Sequence, residues 1–204
     1  MMLQEVIEEN SFHSSHFAWY NIDMERMGFK NLIALEETLE LHRNRFSTCY
    51  IDYLPKELVN NMPEFFKWGR CTMCSGFFTG NGYYMKTACE LIERQFFKCL
   101  DNGYGHADEQ LYSPVYFDYP EVFDQYFGDY QQMITNYRYI REKPETIIGI
   151  FITQAFAYQN FPLVIKACRE VWRSQLNGLI KLNKSDQTRL LYYWSRANEI
   201  GRAH

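Results

Sequence analysis

Two kinds of hydrophobic spacing along the chain predict its strands and helices. Stretches rich in strand-forming residues predict strands over residues 16–22, 46–53 and 71–79. Helices are predicted over residues 3–9, 31–42, 55–62 and 83–100, the two longer ones from apolar residues three and four positions apart. A further helix is predicted to begin near Asp108, and Pro114 and Pro120 are expected to break the stretch that follows.

After Pro144 the chain is predicted to be wholly helical. Three amphipathic segments follow one another with short links, and Ser185 is a suitable N-cap for the last. The strands before Pro144 are few and widely separated by helices, which favours a sheet joined by crossovers over a sheet of hairpins. The sequence therefore predicts an α/β fold, with a mixed sheet and flanking helices over residues 1–140 and a helical subdomain over residues 141–204.

Composition excludes several classes of protein. The 204 residues are 47% hydrophobic and carry a net charge of −4, whereas a dedicated nucleic-acid binder usually shows a strong basic excess. No apolar run approaches the ~20 residues that span a bilayer, and the first residues lack the basic and apolar regions of a signal peptide. We therefore expect a cytoplasmic protein with no transmembrane segment and no nucleic-acid partner.

The six cysteines are expected to be reduced and buried. Cys71 and Cys74 form a Cys-x-x-Cys pair, but no second cysteine pair and no closely spaced histidine pair completes a structural zinc site. A zinc or redox role for this pair is the least favoured hypothesis.

Charge and tyrosine are unevenly distributed. Residues 162–204 carry eight bases and three acids, which indicates a solvated helix face or, alternatively, a surface for an acidic partner or a membrane. Half of the 16 tyrosines fall between Tyr104 and Tyr139. Tyrosine suits surfaces that stack on sugars or peptides, although a core built from aromatic residues is an equal alternative.

Three short segments carry candidate chemistry, and the first is glycine-rich. Residues 76–82 contain three glycines between a predicted strand and a predicted helix, where α/β sheets bind ligands. Their spacing fits neither a Walker loop nor the dinucleotide fingerprint, and an ordinary tight turn would have the same composition.

The other two segments carry carboxylates. In the second, Asp108 and Glu109 are adjacent at a helix start, so one can bind the backbone while the other faces a cleft as a general base. Capping of the helix is the alternative. In the third, Asp23 follows a predicted strand that contains Trp19, and a solvent-facing turn is the alternative.

Together these segments resemble the HtrL/YibB family of glycosyltransferases. Residues 9–23 are similar to a family segment that combines Asn, Phe, Trp and Asp, and residues 75–81 are similar to its glycine-rich turn. Residues 108–110, followed by residues 123–130, are similar to its acidic segment. The order and approximate spacing of the segments agree from about residue 3 to residue 140.

The resemblance implies the later half of a nucleotide-sugar transferase fold of the glycosyltransferase A type. It assigns the base that deprotonates the acceptor to Asp108 or Glu109. It assigns pocket contacts to Gly76, Thr79, Gly80 and Asn81. Further candidate substrate contacts, from their places in the second and third segments, are Trp19, Asp23, His106 and Gln110. It also implies a nucleotide sugar and a glycan acceptor as partners, Mn²⁺ or Mg²⁺ as the cofactor, and no organic cofactor.

One feature departs from the family. The sequence contains no Asp-x-Asp motif, which in such enzymes holds the metal, and Asp23 is a single-carboxylate substitute at best. A shortened reading frame, a second polypeptide or copy that supplies the donor site, or loss of catalysis would each explain this. The alternative function is a non-catalytic module that holds a glycan or a protein on an aromatic surface over residues 104–139 and on the C-terminal helices.

Overall fold

Four strands form one mixed sheet in the computed structural model, which describes residues 2–25, 32–105 and 108–201. The strands are β1 (His16–Tyr20), β2 (Ser47–Tyr50), β3 (Met73–Asn81) and β4 (Tyr126–Phe127). The strand order is β1-β3-β2-β4, with β3 antiparallel to both of its neighbours and β4 parallel to β2. The neighbouring pairs β1–β3 and β2–β4 are not consecutive along the chain, which agrees with the predicted crossovers.

Helices flank the sheet and then complete the chain. Those before residue 140 are α1 (Met2–Glu9), α2 (Leu32–Glu40), α3 (Lys56–Asn60), α4 (Met62–Lys67), α5 (Gly82–Asp101) and α6 (Asp108–Asp118). Those after it are α7 (Pro144–Thr146), which continues through a π-helix (Ile147–Ile152) into α8 (Thr153–Ala157), then α9 (Phe161–Leu176) and α10 (Lys184–Gly201). The predicted mixed sheet with flanking helices, followed by C-terminal helices, is confirmed. Within the described ranges, every helix is too short or too polar to cross a membrane.

The prediction of a glycine-rich turn over residues 76–82 is wrong. Strand β3 runs on to Asn81 and α5 starts at the next residue, Gly82. A Cβ atom at Gly76 would lie 3.1 Å from the sulfur of Met133, and one at Gly80 would lie 2.9 Å from the carbonyl oxygen of Arg45. Close packing against the strand therefore explains these two glycines.

Pro114 does not break the chain as predicted, because α6 passes through it. A proline inside a helix costs about 3 kcal/mol, since it removes one hydrogen bond and crowds the preceding turn. Every residue from Gln110 to Tyr116 is buried, so packing of this helix offsets that cost. Pro120 does begin a separate short 3₁₀ turn, Pro120–Val122.

The sheet has a hydrophobic cluster on each face. The larger cluster joins Phe46, Phe78 and the inner sides of α5 and α6 to the C-terminal helices. The smaller cluster contains Phe77, Tyr126 and Tyr137. Several tyrosines of the 104–139 stretch are among the buried residues, namely Tyr112, Tyr116, Tyr126 and Tyr137. These four tyrosines therefore build core, while the other four in the stretch keep some exposure. The hypothesis of an aromatic binding surface there stays a prediction.

Candidate functional site

A cavity of about 250 Å³ lies between one face of the sheet and helices α1, α5 and α6. Trp19 of β1 and Phe78 of β3 form part of its wall because they are directly paired in the antiparallel register. Their rings stack with centroids 6.1 Å apart and planes 11° from parallel. Two further rings, Phe46 and Tyr112, extend this wall. The cavity is thus bounded by flat apolar faces of the kind that stack on a sugar ring.

Asp108 places a carboxylate on the wall of this aromatic cavity. It is the first residue of α6 and its side chain is exposed to water. Tyr112 lies one turn further along α6 and lines the same cavity. Burial raises the pKa of the Tyr112 hydroxyl, and the nearby Asp108 charge raises it further. The phenol therefore stays neutral beside the carboxylate.

Glu109 is not among the residues that line the cavity, and it is held by donors from three residues. Its Oε1 accepts hydrogen bonds of 3.1 Å from both the backbone N–H and the hydroxyl of Ser75. Its Oε2 accepts a 2.5 Å hydrogen bond from the hydroxyl of Tyr130 and lies 3.8 Å from Sγ of Cys71. Both oxygens are therefore occupied, and Glu109 fixes β3 to the start of α6.

The two predicted carboxylates thus divide their roles, since Asp108 faces a cavity and Glu109 anchors the sheet. Ser75 connects them, because it both lines the cavity and binds Glu109. Of the predicted residues, the structure brings together Trp19, Asp108 and, through Ser75, Glu109.

Thr79 and Gly80 line a different cavity, of about 180 Å³, beside Ala18 of β1. Side chains alternate between the two faces of a strand, so neighbours of Phe78 point away from the aromatic cavity. The Thr79 hydroxyl is hydrogen-bonded to the hydroxyl of Tyr137 in the smaller core cluster.

Asn81 and Gln110 have structural partners. The Asn81 side chain accepts a 2.9 Å hydrogen bond from the backbone N–H of Tyr84 and so caps α5. Gln110 is buried, and its Nε2 donates to the backbone oxygens of Phe65 and Arg70 at 3.4 and 3.3 Å. Neither side chain is part of the aromatic cavity wall as far as the described residues define it.

Asp23 and His106 complete the predicted set. Asp23 is exposed in a 3₁₀ turn, Ile22–Glu25, where its backbone N–H donates to the side chain of Asn21. His106 lies outside the residues that the structure describes.

The prediction that the cysteines are buried is confirmed, since all six are free and buried. Burial raises the pKa of Cys71 to about 11 and that of Cys74 to about 12, so both thiols stay protonated near neutral pH. A protonated thiol is a poor metal ligand and a poor nucleophile.

The divalent metal that the family resemblance implies has no three-residue site among the described residues. Within residues 2–25, 32–105 and 108–201, no three His, Cys, Asp or Glu side chains lie together in a way that could hold a metal ion. A Mg²⁺ ion held by one carboxylate and the phosphates of a substrate would need no such cluster.

Sequence reasoning missed Phe78 and Tyr112 as cavity residues. Tyr112 is four positions after Asp108, so helical spacing alone would have placed both on one face of α6. Phe78 could be found only from the pairing register of β1 and β3, which local sequence does not contain.

No protein-family model, curated protein or solved structure matches this chain. The resemblance to the HtrL/YibB family therefore stays a prediction.

Proposed function

We propose that the protein binds a sugar in the aromatic cavity and acts as a glycosyltransferase-like enzyme with Asp108 as its base. One observation carries this proposal: an exposed carboxylate lies on a wall formed by Trp19, Phe78, Phe46 and Tyr112. Aromatic faces stack on the C–H faces of sugars, while a carboxylate accepts hydrogen bonds from their hydroxyls. The cavity volume of about 250 Å³ suits one sugar ring.

The proposed step transfers a sugar from a nucleotide-sugar donor to a hydroxyl of the bound acceptor. Asp108 accepts the proton of that hydroxyl while the hydroxyl oxygen forms a bond to the anomeric carbon of the donor. The bond between that carbon and the diphosphate breaks, and the diphosphate leaves with the electron pair. A positioned carboxylate base contributes typically about 10²–10⁴-fold to such a step.

Glu109 is assigned a positioning role in this scheme. Its two oxygens hold Ser75 and Tyr130, and Ser75 is part of the cavity wall. The hydrogen bonds between Glu109 and Ser75 therefore fix β3, the strand that carries Phe78, against the start of α6.

The proposal is tested by comparing Asp108→Asn with Glu109→Gln. Asp108→Asn is expected to keep the fold and sugar binding but to lose about 10²–10⁴-fold in transfer rate. Glu109→Gln is expected to destabilise the fold by about 1–3 kcal/mol, because the amide presents donors where the carboxylate accepted hydrogen bonds. Transfer is measured as nucleotide release from a panel of UDP- and GDP-sugars with monosaccharide acceptors, and stability by urea unfolding.

Asp101→Asn is the matched control, since Asp101 is an exposed carboxylate at the far end of α5. It is expected to change neither readout. Sugar binding is followed separately by tryptophan fluorescence, with Trp19→Ala expected to weaken it about tenfold through loss of stacking. Full transfer activity in Asp108→Asn would refute the base assignment.

A sugar-binding module without transfer is the second candidate. It is favoured because the described residues offer no three-ligand metal cluster beside the cavity. Sugar binding that depends on Trp19, with no nucleotide release from any donor, would select this candidate.

A further inference from the structure

A cleft of about 620 Å³ lies on another part of the molecule, between the segment after α2, the segment after β4 and α9. Its described lining contains four arginines, Arg43, Arg45, Arg138 and Arg173, and one carboxylate, Asp124. The aromatic cavity shares none of these residues. The cleft therefore concentrates positive charge in a chain whose net charge is −4.

Asp124, the carboxylate in this lining, already forms ion pairs with two cations. Asp124 Oδ2 lies 2.8 Å from Nη1 of Arg43, and its Oδ1 lies 3.6 Å from Nζ of Lys166. Arg43 also donates to the backbone oxygen of Tyr137. Asp124 is thus shared by two cations, and it forms no ion pair with the other three arginines of the cleft.

Within the described parts of the chain, Arg45, Arg138 and Arg173 have no carboxylate within 4 Å. All three side chains are exposed. Each guanidinium therefore keeps its N–H donors available to a ligand.

Tyr139 brings two of these arginines together. The guanidinium carbon of Arg138 lies 5.6 Å from the centre of the Tyr139 ring, and that of Arg173 lies 5.1 Å from it. A cation–π contact uses the flat face of a guanidinium and does not neutralise its charge. Both guanidinium groups therefore lie beside the same ring, where one ligand next to Tyr139 can reach both.

The charge and shape of the cleft select the class of ligand. The fork of N–H donors on arginine matches the oxygens of phosphate, which it binds through two parallel hydrogen bonds. Three arginines without an ion-pair partner among the described residues fit a ligand with more than one negative charge. The volume exceeds that of a lone phosphate, so room remains for an organic group beside Tyr139 and His42.

We propose that this arginine cleft binds a phosphorylated small molecule, with a diphosphate group held by Arg45, Arg138 and Arg173. The proposal does not depend on sugar transfer in the aromatic cavity, because the two sites have different linings. Failure of one leaves the other testable.

The first experiment is calorimetric titration of the full chain with pyrophosphate at about 0.15 M ionic strength, where long-range surface attraction is largely screened. The unmodified protein is expected to bind pyrophosphate more tightly than orthophosphate. Removing one charged hydrogen-bonding partner costs about tenfold in affinity, so the double variant Arg138→Gln/Arg173→Gln is expected to lose about 100-fold. Absence of pyrophosphate binding to the unmodified protein would overturn the proposal.

Arg94→Gln is the matched control. Arg94 is an exposed arginine on α5, so its replacement removes one positive charge outside the cleft lining. It is expected to leave the affinity unchanged. Equal pyrophosphate affinity in the double variant and the unmodified protein would overturn the proposal. The double variant Arg138→Lys/Arg173→Lys keeps the charge but loses the fork, so intermediate affinity is expected. Thermal unfolding of each variant checks that the fold is retained.

Titration with UDP distinguishes two sources of the diphosphate. Tighter binding of UDP than of pyrophosphate, lost in the double variant Arg138→Gln/Arg173→Gln, would support a nucleotide ligand that also contacts Tyr139. Binding of pyrophosphate alone would support a phosphorylated ligand without a nucleoside. Tighter binding of a single-stranded RNA, lost in the same double variant, would instead overturn the small-molecule assignment.

Discussion

Glu170 on α9 shows how burial alters one carboxyl group near the arginine cleft. Burial raises its pKa to about 7, while the nearby charges of Lys166, Arg43 and Arg173 lower the pKa and Asp124 raises it. In the unfolded chain the pKa returns to about 4.5. Between these two pH values the folded protein holds a proton that the unfolded protein releases, so this group makes the fold less stable as pH rises.

Replacing Glu170 with Gln is therefore expected to stabilise the protein at pH 8 and to have little effect at pH 4.5. One pKa unit corresponds to about 1.4 kcal/mol, so the gain at pH 8 is expected to be about 1–3 kcal/mol. Urea unfolding at the two pH values measures it. Glu121→Gln serves as control because that carboxylate is exposed, and its effect should be the same at both pH values. Equal stability of Glu170→Gln and the unmodified protein at pH 8 would contradict the assignment.

At the scale of elements, β3 lines both the aromatic cavity and the cavity of about 180 Å³ on the other face of the sheet. Its residue Phe78 faces the aromatic cavity, and the next residue, Thr79, faces the opposite side of the sheet. The strand lies between β1 and β2, so a displacement of its backbone would reach both neighbours. At Gly80 an added Cβ atom would meet the backbone carbonyl of Arg45, a residue from outside the strand.

Gly80→Ala is therefore expected to destabilise the fold by about 1–3 kcal/mol through overpacking. The added Cβ would lie 2.9 Å from a backbone oxygen, which cannot move aside as a flexible side chain can. Gly149→Ala is the control, because a Cβ there would meet only the end of the Arg189 side chain, at 3.8 Å. That substitution should be neutral or stabilising by about 0.4–1 kcal/mol. Thermal unfolding compares the two, and equal effects would show that Gly80 is not required for packing.

An element could be predicted when residues close in sequence determine it, and not when distant contacts do. Helix α5 follows from its own apolar stripe, and its extent was predicted to within one residue at each end. Strand β4 has only two residues and exists because it pairs with β2, about 75 positions earlier, so no local pattern indicates it. The glycines of β3 were misinterpreted because their neighbours, Met133 and Arg45, are distant in sequence.

The same distinction between local and distant causes applies to the residues of the candidate site. Asp108 and Trp19, chosen from carboxylate and aromatic chemistry at the ends of elements, line the same cavity. Their roles in it stay a prediction. The separate roles of Asp108 and Glu109 could not be predicted, because they depend on contacts of Glu109 with Ser75 and Tyr130. The arginine cleft was missed because its residues come from three distant segments.

At the scale of the whole molecule, the C-terminal helices and the sheet share one hydrophobic cluster. Phe151 of the π-helix is buried, and its ring centre lies 4.8 Å from that of Tyr50 and 4.9 Å from that of Phe127. It also meets the ring of Tyr53, with centres 6.0 Å apart. One side chain from the helical region therefore contacts two strands of the sheet and the segment that follows β2.

This packing leads us to expect a single cooperative unfolding transition for residues 1–140 and 141–204. Phe151→Ala should lower the free energy of unfolding by about 3–5 kcal/mol, since it removes a buried aromatic ring and leaves a cavity. Hydrogen exchange should show protection falling by the same amount in β3 and in α9, because both would open together.

Leu176→Ala on α9 is the control, because that side chain is 72% exposed and its loss should change stability by less than about 0.5 kcal/mol. A loss of protection confined to α9 and α10 would instead show that residues 141–204 unfold as an independent subdomain. The ring contacts of Phe151 would then contribute little to the stability of the sheet.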